Sequence, residues 1–323
     1  MAEAGGSRGR ARRVIGAVAG VVVLAIALWL IFGPGPPGIL ESARWAVRNA
    51  PGEDVVLLHV MMDADSPSQV AEGAFLINYH RITDDRDGLE VELAPVNQLV
   101  DVFRSLGVSN HTRVVVIGDP AHVAGRVFVT LDYLGHGDMT TVVDGGIEAW
   151  KAAGGAVLPR ASGGVAAAKG RPVYPSVPGT FEATINENVL VTADWIEARL
   201  DDPSVTLVDA RQHGEYRGWI PGRRGLAAGH LPGAYNMYWE DLLVEGDVPV
   251  MLPEDDVRAR FDEAGAGEDG IVVNYCLVGM RASYTYMVSR HLGYDARFYD
   301  GSWNEWGARP RRSIAGGRGS RSR

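Results

Sequence analysis

The run of segments between residues 113 and 150 is repeated between residues 270 and 306, and this duplication constrains the fold more than any other feature of the chain. In the first copy, "RVVVIGD" (113–119) leads through an apolar stretch to "LDYLGHG" (131–137) and then "TTVVDGGIEAW" (140–150). In the second, "GIVVNYC" (270–276) leads to "RASYTYMVSRHLG" (281–293) and "ARFYDGSWNEW" (296–306). Earlier segments also correspond: "DVVLLHV" (54–60) and "AEGAFLINY" (71–79) are matched by "VTLVDAR" (205–211) and "GHLPGAYNM" (229–237). The unbroken apolar runs suit strands buried on both faces of a parallel sheet. Tyr284, Met287, Val288, His291 and Leu292 follow helical spacing, with Gly293 as a stop signal. Strands that alternate with helices in each copy predict an α/β chain of two domains, each a mostly parallel sheet flanked by helices. "PRASGGVAAAKGRPVYPSVPG" (159–179) has no period and reads as part of a linker.

Charge narrows the partners. The chain carries a formal −9; residues 1–13 are net +3 and residues 309–323 net +6, which leaves −18 on the body between them. A body this acidic is a poor nucleic-acid ligand, because phosphate affinity rests on Lys and Arg. One cysteine excludes an internal disulfide and any cysteine-cluster metal site. The eight histidines show no metal-ligand spacing, so neither metal nor cofactor is expected.

"RGRARR" precedes a run of 19 uncharged residues, 14–32, close to the ~20 a membrane-crossing helix needs. This predicts one N-terminal transmembrane helix after a basic cytoplasmic segment (1–13). The excess of Arg before it leaves the body extracytoplasmic, on the periplasmic side of a bacterial membrane. A long cleaved signal peptide is the alternative. The tail, 309–323, reads as basic and disordered.

The single cysteine, Cys276, falls at the carboxyl end of the "IVVNY" strand, the edge where open parallel sheets bind ligands. Residues 277–281 then turn into a helix. Such a turn aims backbone N–H groups and the positive helix end at the thiol, which favours the nucleophilic thiolate. Gly279 permits a tight loop, and Arg281 offers a guanidinium for an oxyanion. A small buried core residue is the competing role for a lone cysteine. A Cys-based phosphatase loop is one residue too long to match, since four residues, not five, separate Cys276 from Arg281.

"CLVGMR", "LVDARQHGEYRG", "GHLPGAYNM" and "YDGSWNEW", in that order within a duplicated body, resemble the tandem-domain rhodaneses, the thiosulfate and 3-mercaptopyruvate sulfurtransferases. The resemblance spans residues 40–307. It implies an inactive rhodanese-like domain over 39–155, a linker over 156–188 and a catalytic rhodanese domain over 189–308. By resemblance, Cys276 takes sulfane sulfur from a donor as a persulfide and passes it to cyanide or a thiol. Leu277, Val278, Gly279, Met280 and Arg281 form the cradle. Asp119, which pairing of the two copies sets opposite Cys276, cannot carry sulfur. Asp209, Arg211 and Glu215 are expected to shape the pocket as a charge network, and His230 to fix a loop. Leu277 and Val278 replace the loop cation or small polar pair of the family, and Glu215 stands where an anion-binding Arg is expected. A small anionic donor, thiosulfate first, is therefore assigned to Arg281. The alternative is a relay or docking module fed with sulfur by a partner protein.

Overall fold

A computed structural model describes residues 37–62, 69–159, 177–220, 225–267, 269–309 and 313–316. Within the compact unit Gly38–Arg323 two parallel sheets form. The N-terminal half contains β1 (Leu40–Glu41), α1 (Ala43–Asn49), β2 (Val55–Met61), β3 (Gln69–Ala71), β4 (Phe75–Asn78), β5 (Thr83–Arg86), β6 (Leu89–Leu93), α2 (Val96–Ser105), β7 (Arg113–Asp119), α3 (His122–Tyr133), β8 (Thr140–Val143), α4 (Gly146–Ala152) and β9 (Val157–Pro159). The C-terminal half contains α5 (Ala193–Glu197), β10 (Val205–Asp209), α6 (His213–Tyr216), β11 (Tyr235–Asn236), α7 (Glu254–Glu263), β12 (Ile271–Tyr275), α8 (Met280–His291), β13 (Asp295–Phe298) and α9 (Ser302–Trp306).

The first sheet has the order β1-β8-β7-β2-β4 and the second β11-β10-β12-β13. Read from the other edge, β8-β7-β2-β4 and β13-β12-β10-β11 follow the chain in the same way, and every pairing is parallel. The repeated segments thus occupy equivalent strands. Even the caps repeat: Ser42 Oγ accepts the Trp45 N–H and Thr192 Oγ1 accepts the Trp195 N–H, each closing the first turn of the helix it starts. Residues 157–159, inside the expected linker, form β9 and pair antiparallel with β3. Phe181, in the same linker, is buried against Phe103.

The two halves meet along α3 and α8, whose side chains join one apolar core containing Val116, Phe128, Val272, Tyr286 and Met287. The helices cross at Gly125, where a Cβ would stand 2.7 Å from the Ser283 carbonyl carbon and oxygen and 2.8 Å from the Tyr284 nitrogen. No side chain fits there, so Gly125→Ala is expected to destabilise the chain by about 3 kcal/mol, the upper range for overpacking, as read from urea unfolding. Further along the seam, Asp132 accepts hydrogen bonds from the Tyr286 hydroxyl (2.7 Å) and Arg290 Nε (2.9 Å).

His59 lies fully buried in β2, its Nδ1 accepting the Ala71 N–H. Burial lowers its pKa to about 4. The folded histidine stays neutral while the unfolded one takes up a proton below about 6.5. Stability from this group is therefore complete above pH ~6.5 and is lost as pH falls towards 4. The loss amounts to about 3 kcal/mol. In His59→Gln this acid-dependent part of the unfolding free energy should vanish from a urea series run across that window.

The expected membrane-spanning helix, residues 14–32, lies outside the described residues, as do the basic segment 1–13 and most of the tail. Among the described residues no helix is long and apolar enough to cross a membrane. The longest, α3 and α8, have 12 residues each, about 18 Å of helix against a hydrocarbon core of ~30 Å. The fold class is corrected accordingly to an α/β fold with parallel sheets and no transmembrane helix in the described chain. A membrane-anchored, periplasmic location is withdrawn with it.

Candidate active site

Cys276 follows directly on β12 and is only 1% exposed. The loop after it reaches α8 through Gly279, which caps the helix in the left-handed region (φ 79°, ψ −20°). Ser283 N–H donates to the Gly279 carbonyl at 3.0 Å, the first bond of the helix ladder. The N–H groups of Met280, Arg281 and Ala282 therefore have no carbonyl a turn earlier to bond. A reactive sulfur at this strand end meets the unsatisfied, positive end of a 12-residue helix.

The loop is fastened from behind by α9. The Cys276 N–H donates to Ser302 Oγ (3.2 Å), and the Ser302 hydroxyl donates to the Tyr299 carbonyl (2.9 Å). Trp303 N–H donates to the Cys276 carbonyl (3.0 Å) and Asn304 N–H to the Leu277 carbonyl (2.9 Å). Ser302 holds this position at φ 50°, an uncommon conformation for a side-chain-bearing residue. Leu277 packs with Tyr275, Trp303 and Trp306 on one side, while Val278 packs into the core that holds Cys276 and Met280. Their apolar side chains anchor the loop on two different clusters.

Arg281 faces Glu215 of α6 in a two-pronged ion pair, Nη1–Oε2 2.6 Å and Nη2–Oε1 3.0 Å. Burial works against the Arg281 cation. The hydrogen bonds to Glu215 and negative charge at Cys276, Glu215 and Asp209 outweigh it, so its pKa rises above the ordinary guanidinium value. Burial also opposes the Glu215 anion, yet Arg281 holds its pKa below the usual carboxylate value. Arg281, to which the sequence assigned the anionic donor, thus carries an internal carboxylate.

Asp209, Arg211 and Glu215, expected to form one charge network, hydrogen-bond in two separate pairs, while the Arg211 and Glu215 charges still act on each other. Asp209 and Arg211 pair with each other, Nη2–Oδ2 2.7 Å and Nε–Oδ1 3.0 Å, and both are buried. The Arg211 guanidinium also donates to the Gly229 carbonyl (2.8 Å) and lies 4.6 Å from the Trp303 ring centre. Glu215 belongs to Arg281 instead. The His230 ring stacks on Tyr216 at 3.6 Å and its Nδ1 bonds the Tyr216 carbonyl at 2.8 Å. Asp119 ends β7 on the first sheet and is not brought to Cys276. Burial and Glu148 raise its pKa against the pull of Lys151. Among the described residues no group of His, Cys, Asp and Glu could hold a metal ion.

Three residues near the site were not singled out from sequence. Arg126 and His122 come from segments remote from Cys276 with no local pattern to mark them, and Ser302 lies within the "YDGSWNEW" segment without having been picked out of it. His122 starts α3 of the N-terminal half, 4.5 Å from Trp239 between ring centres. Burial and then the Arg281 charge lower its pKa to about 4.

Comparison with known proteins agrees with this geometry. The family described as Rhodanese-like domain matches residues 192–309. A thiosulfate/3-mercaptopyruvate sulfurtransferase of Arabidopsis thaliana is 29% identical over 249 residues, 73% of this chain and 65% of that protein. The thiosulfate sulfurtransferase of Bos taurus is 31% identical over 258 residues, 77% of this chain and 82% of that protein. A solved 3-mercaptopyruvate sulfotransferase of Escherichia coli, 20% identical, superposes with a TM-score of 0.67 over 83% of this chain and 99% of its own. That likeness speaks for the fold, described there as the rhodanese fold. Identity above 30% across four fifths of the bovine enzyme, on a parallel-sheet scaffold with a thiol at a strand end, settles the family: the chain belongs to the thiosulfate/3-mercaptopyruvate sulfurtransferases of rhodanese fold and moves sulfane sulfur from donor to thiophilic acceptor.

Proposed function

We propose that Cys276 is the sulfur carrier, that thiosulfate is the donor, and that residues 277–281 hold the transferred sulfur. The Cys276 thiolate attacks the outer sulfur of thiosulfate. A new S–S bond forms, the old one breaks, and the electron pair leaves with sulfite. The persulfide anion then gives its terminal sulfur to cyanide, releasing thiocyanate, or to a thiolate, releasing a persulfide, and the Cys276 thiolate returns. The observation that carries this reading is the position of Cys276 between β12 and the unsatisfied start of α8.

The two equivalent sheets support reading the chain as a tandem of rhodanese-like units, the first built on β1–β9 and the second on β10–β13. The first has Asp119 at the strand end and acts as a wall for the second. The test is to mix the purified chain with thiosulfate, locate an added sulfur atom by peptide mass spectrometry, and add cyanide. Sulfur on Cys276 that cyanide removes as thiocyanate supports the reading. No adduct from thiosulfate, mercaptopyruvate or glutathione persulfide rejects it, and an adduct formed only from a partner protein gives the relay reading instead.

Glu215 occupies the guanidinium that the donor needs. Removing its charge in Glu215→Gln frees Arg281 for the dianion, and KM for thiosulfate should fall about 5-fold, the equivalent of ~1 kcal/mol for a partly exposed pair. A rise in KM would show that Glu215 orients Arg281 rather than competes for it.

A further inference from the structure

We propose that Arg126, on α3 of the N-terminal half, is a positioning residue for sulfur transfer, because it fixes the Gly279 turn of the loop that follows Cys276. The inference rests on the reading of Cys276 as sulfur carrier.

Arg126 is wholly buried at the seam between the halves. Its Nη1 donates to Asp300 Oδ1 at 2.8 Å, its Nη2 donates to the Val91 carbonyl, and its guanidinium carbon lies 5.5 Å from the Phe298 ring centre. All of this converges on Gly279. A Cβ there would stand 2.9 Å from Arg126 Nη1, 3.1 Å from Asp300 Oδ1 and 3.1 Å from Phe298 Cζ. The turn that starts α8 is thus seated directly on a guanidinium–carboxylate pair supplied by both halves.

Two strained backbone positions are tied to the same pair. Val91, in β6, has φ 63°, an outlier for a β-branched residue. It is held by Asp85 Oδ1, which accepts its N–H at 2.9 Å, and by Arg126 at its carbonyl. Asp300 Oδ2 accepts the Leu93 N–H at 2.7 Å, so the carboxylate is gripped from both sides. Two residues on, Ser302 at φ 50° accepts the Cys276 N–H. A hairpin of the N-terminal half is therefore linked through Arg126 and Asp300 to both ends of the sulfur-bearing loop, Gly279 and the Cys276 peptide.

This contact is poorly explained as a stability device. A buried ion pair is often no better for stability than well-packed apolar residues of its size, and what it supplies is geometry. The Arg126 Nε–H has no hydrogen-bond partner among the described residues, although it is buried. The geometry supplied is what transfer needs. The loop N–H groups must hold a thiolate before the donor reacts and a sulfur one bond further out afterwards, and a loop free to relax onto the bare thiolate gives up the second state.

Arg126→Met, Arg126→Lys and Asp300→Asn in the full chain test this, with steady-state kcat and KM in the thiosulfate–cyanide assay, the rate of sulfur loading on Cys276, and thermal unfolding. In Arg126→Met, kcat and loading should fall by about 10²-fold, the cost of misplacing reacting groups by ~1 Å. KM for thiosulfate should stay within about 3-fold, because Arg281 still meets the donor. Arg126→Lys keeps one charged contact and should recover part of kcat but not all of it, since an ammonium cannot bond Asp300 and Val91 in one plane. A folded Arg126→Met that loads Cys276 at the unaltered rate overturns the proposal, as does a loss confined to unfolding temperature. If the methionine variant does not fold, the isosteric Asp300→Asn decides by the same kcat-against-KM criterion. An unmodified chain that never loads Cys276 would instead overturn the carrier reading, so the two failures are distinct.

Discussion

Cys276→Ser should retain the fold and lose sulfur transfer by about 10⁴-fold or more, as nucleophile removal does in enzymes that depend on one. The substitution exchanges one small atom at a position only 1% exposed. The two backbone bonds that fix the residue, Cys276 N–H to Ser302 Oγ and Trp303 N–H to the Cys276 carbonyl, do not involve the side chain. What disappears is the thiolate. A hydroxyl is not ionised near neutral pH and forms no stable bond to sulfane sulfur, so neither half-reaction proceeds. The measurements are thiocyanate release and the mass of the peptide bearing residue 276 after thiosulfate. Unfolding in urea should be superimposable on that of the unmodified chain within ~1 kcal/mol. Residual turnover near the unmodified rate would reassign the sulfur carrier.

The largest loss of stability is expected from Asp209→Ala. The carboxylate is fully buried and meets Arg211 through Nε, Nη2 and the Arg211 backbone N–H. Its removal strands a guanidinium between Trp303, Tyr275 and the Gly229 carbonyl. Breaking a buried pair by deleting one partner costs about 3–5 kcal/mol, most of it the unpaired charge. Asp209→Ala/Arg211→Met, which removes both charges and leaves only a small void where the carboxylate stood, should recover much of that loss in urea unfolding. If the single variant unfolds like the original, the pair is not sealed from water as its burial indicates. Activity should fall with the single variant too. Trp303 both stacks on Arg211 and holds the Cys276 carbonyl.

What could be read from sequence divides by range. The apolar runs became β7 and β12, the helical spacing of Tyr284, Met287 and Val288 fell in α8, which is buried on all sides from Ala282 to Ser289, and Gly279 took the left-handed turn. Each of these is a property of a few neighbouring residues. The duplication supplied the rest of the topology, because equivalent segments occupy equivalent strands. The partners of the site were not legible. Arg281 meets a carboxylate 66 positions earlier and Arg126 one 174 positions later. No pattern in either segment points to the other. Asp209, Arg211 and Glu215 are expected together because the strand that ends at the first two reaches the sheet edge of Cys276, yet the Glu215 hydrogen bonds go from α6 to Arg281, a partner no local pattern names. The membrane expectation drew on one apolar run and the basic segment before it, and both lie outside the described residues.

The near-complete burial of Cys276 has a further consequence for selectivity. If Cys276 carries the sulfur, attack requires direct approach to it, and a site this buried should favour small acceptors: cyanide is expected to react faster than a peptide thiol. A peptide thiol must first displace Leu277 or Val278 from the two clusters that pin them.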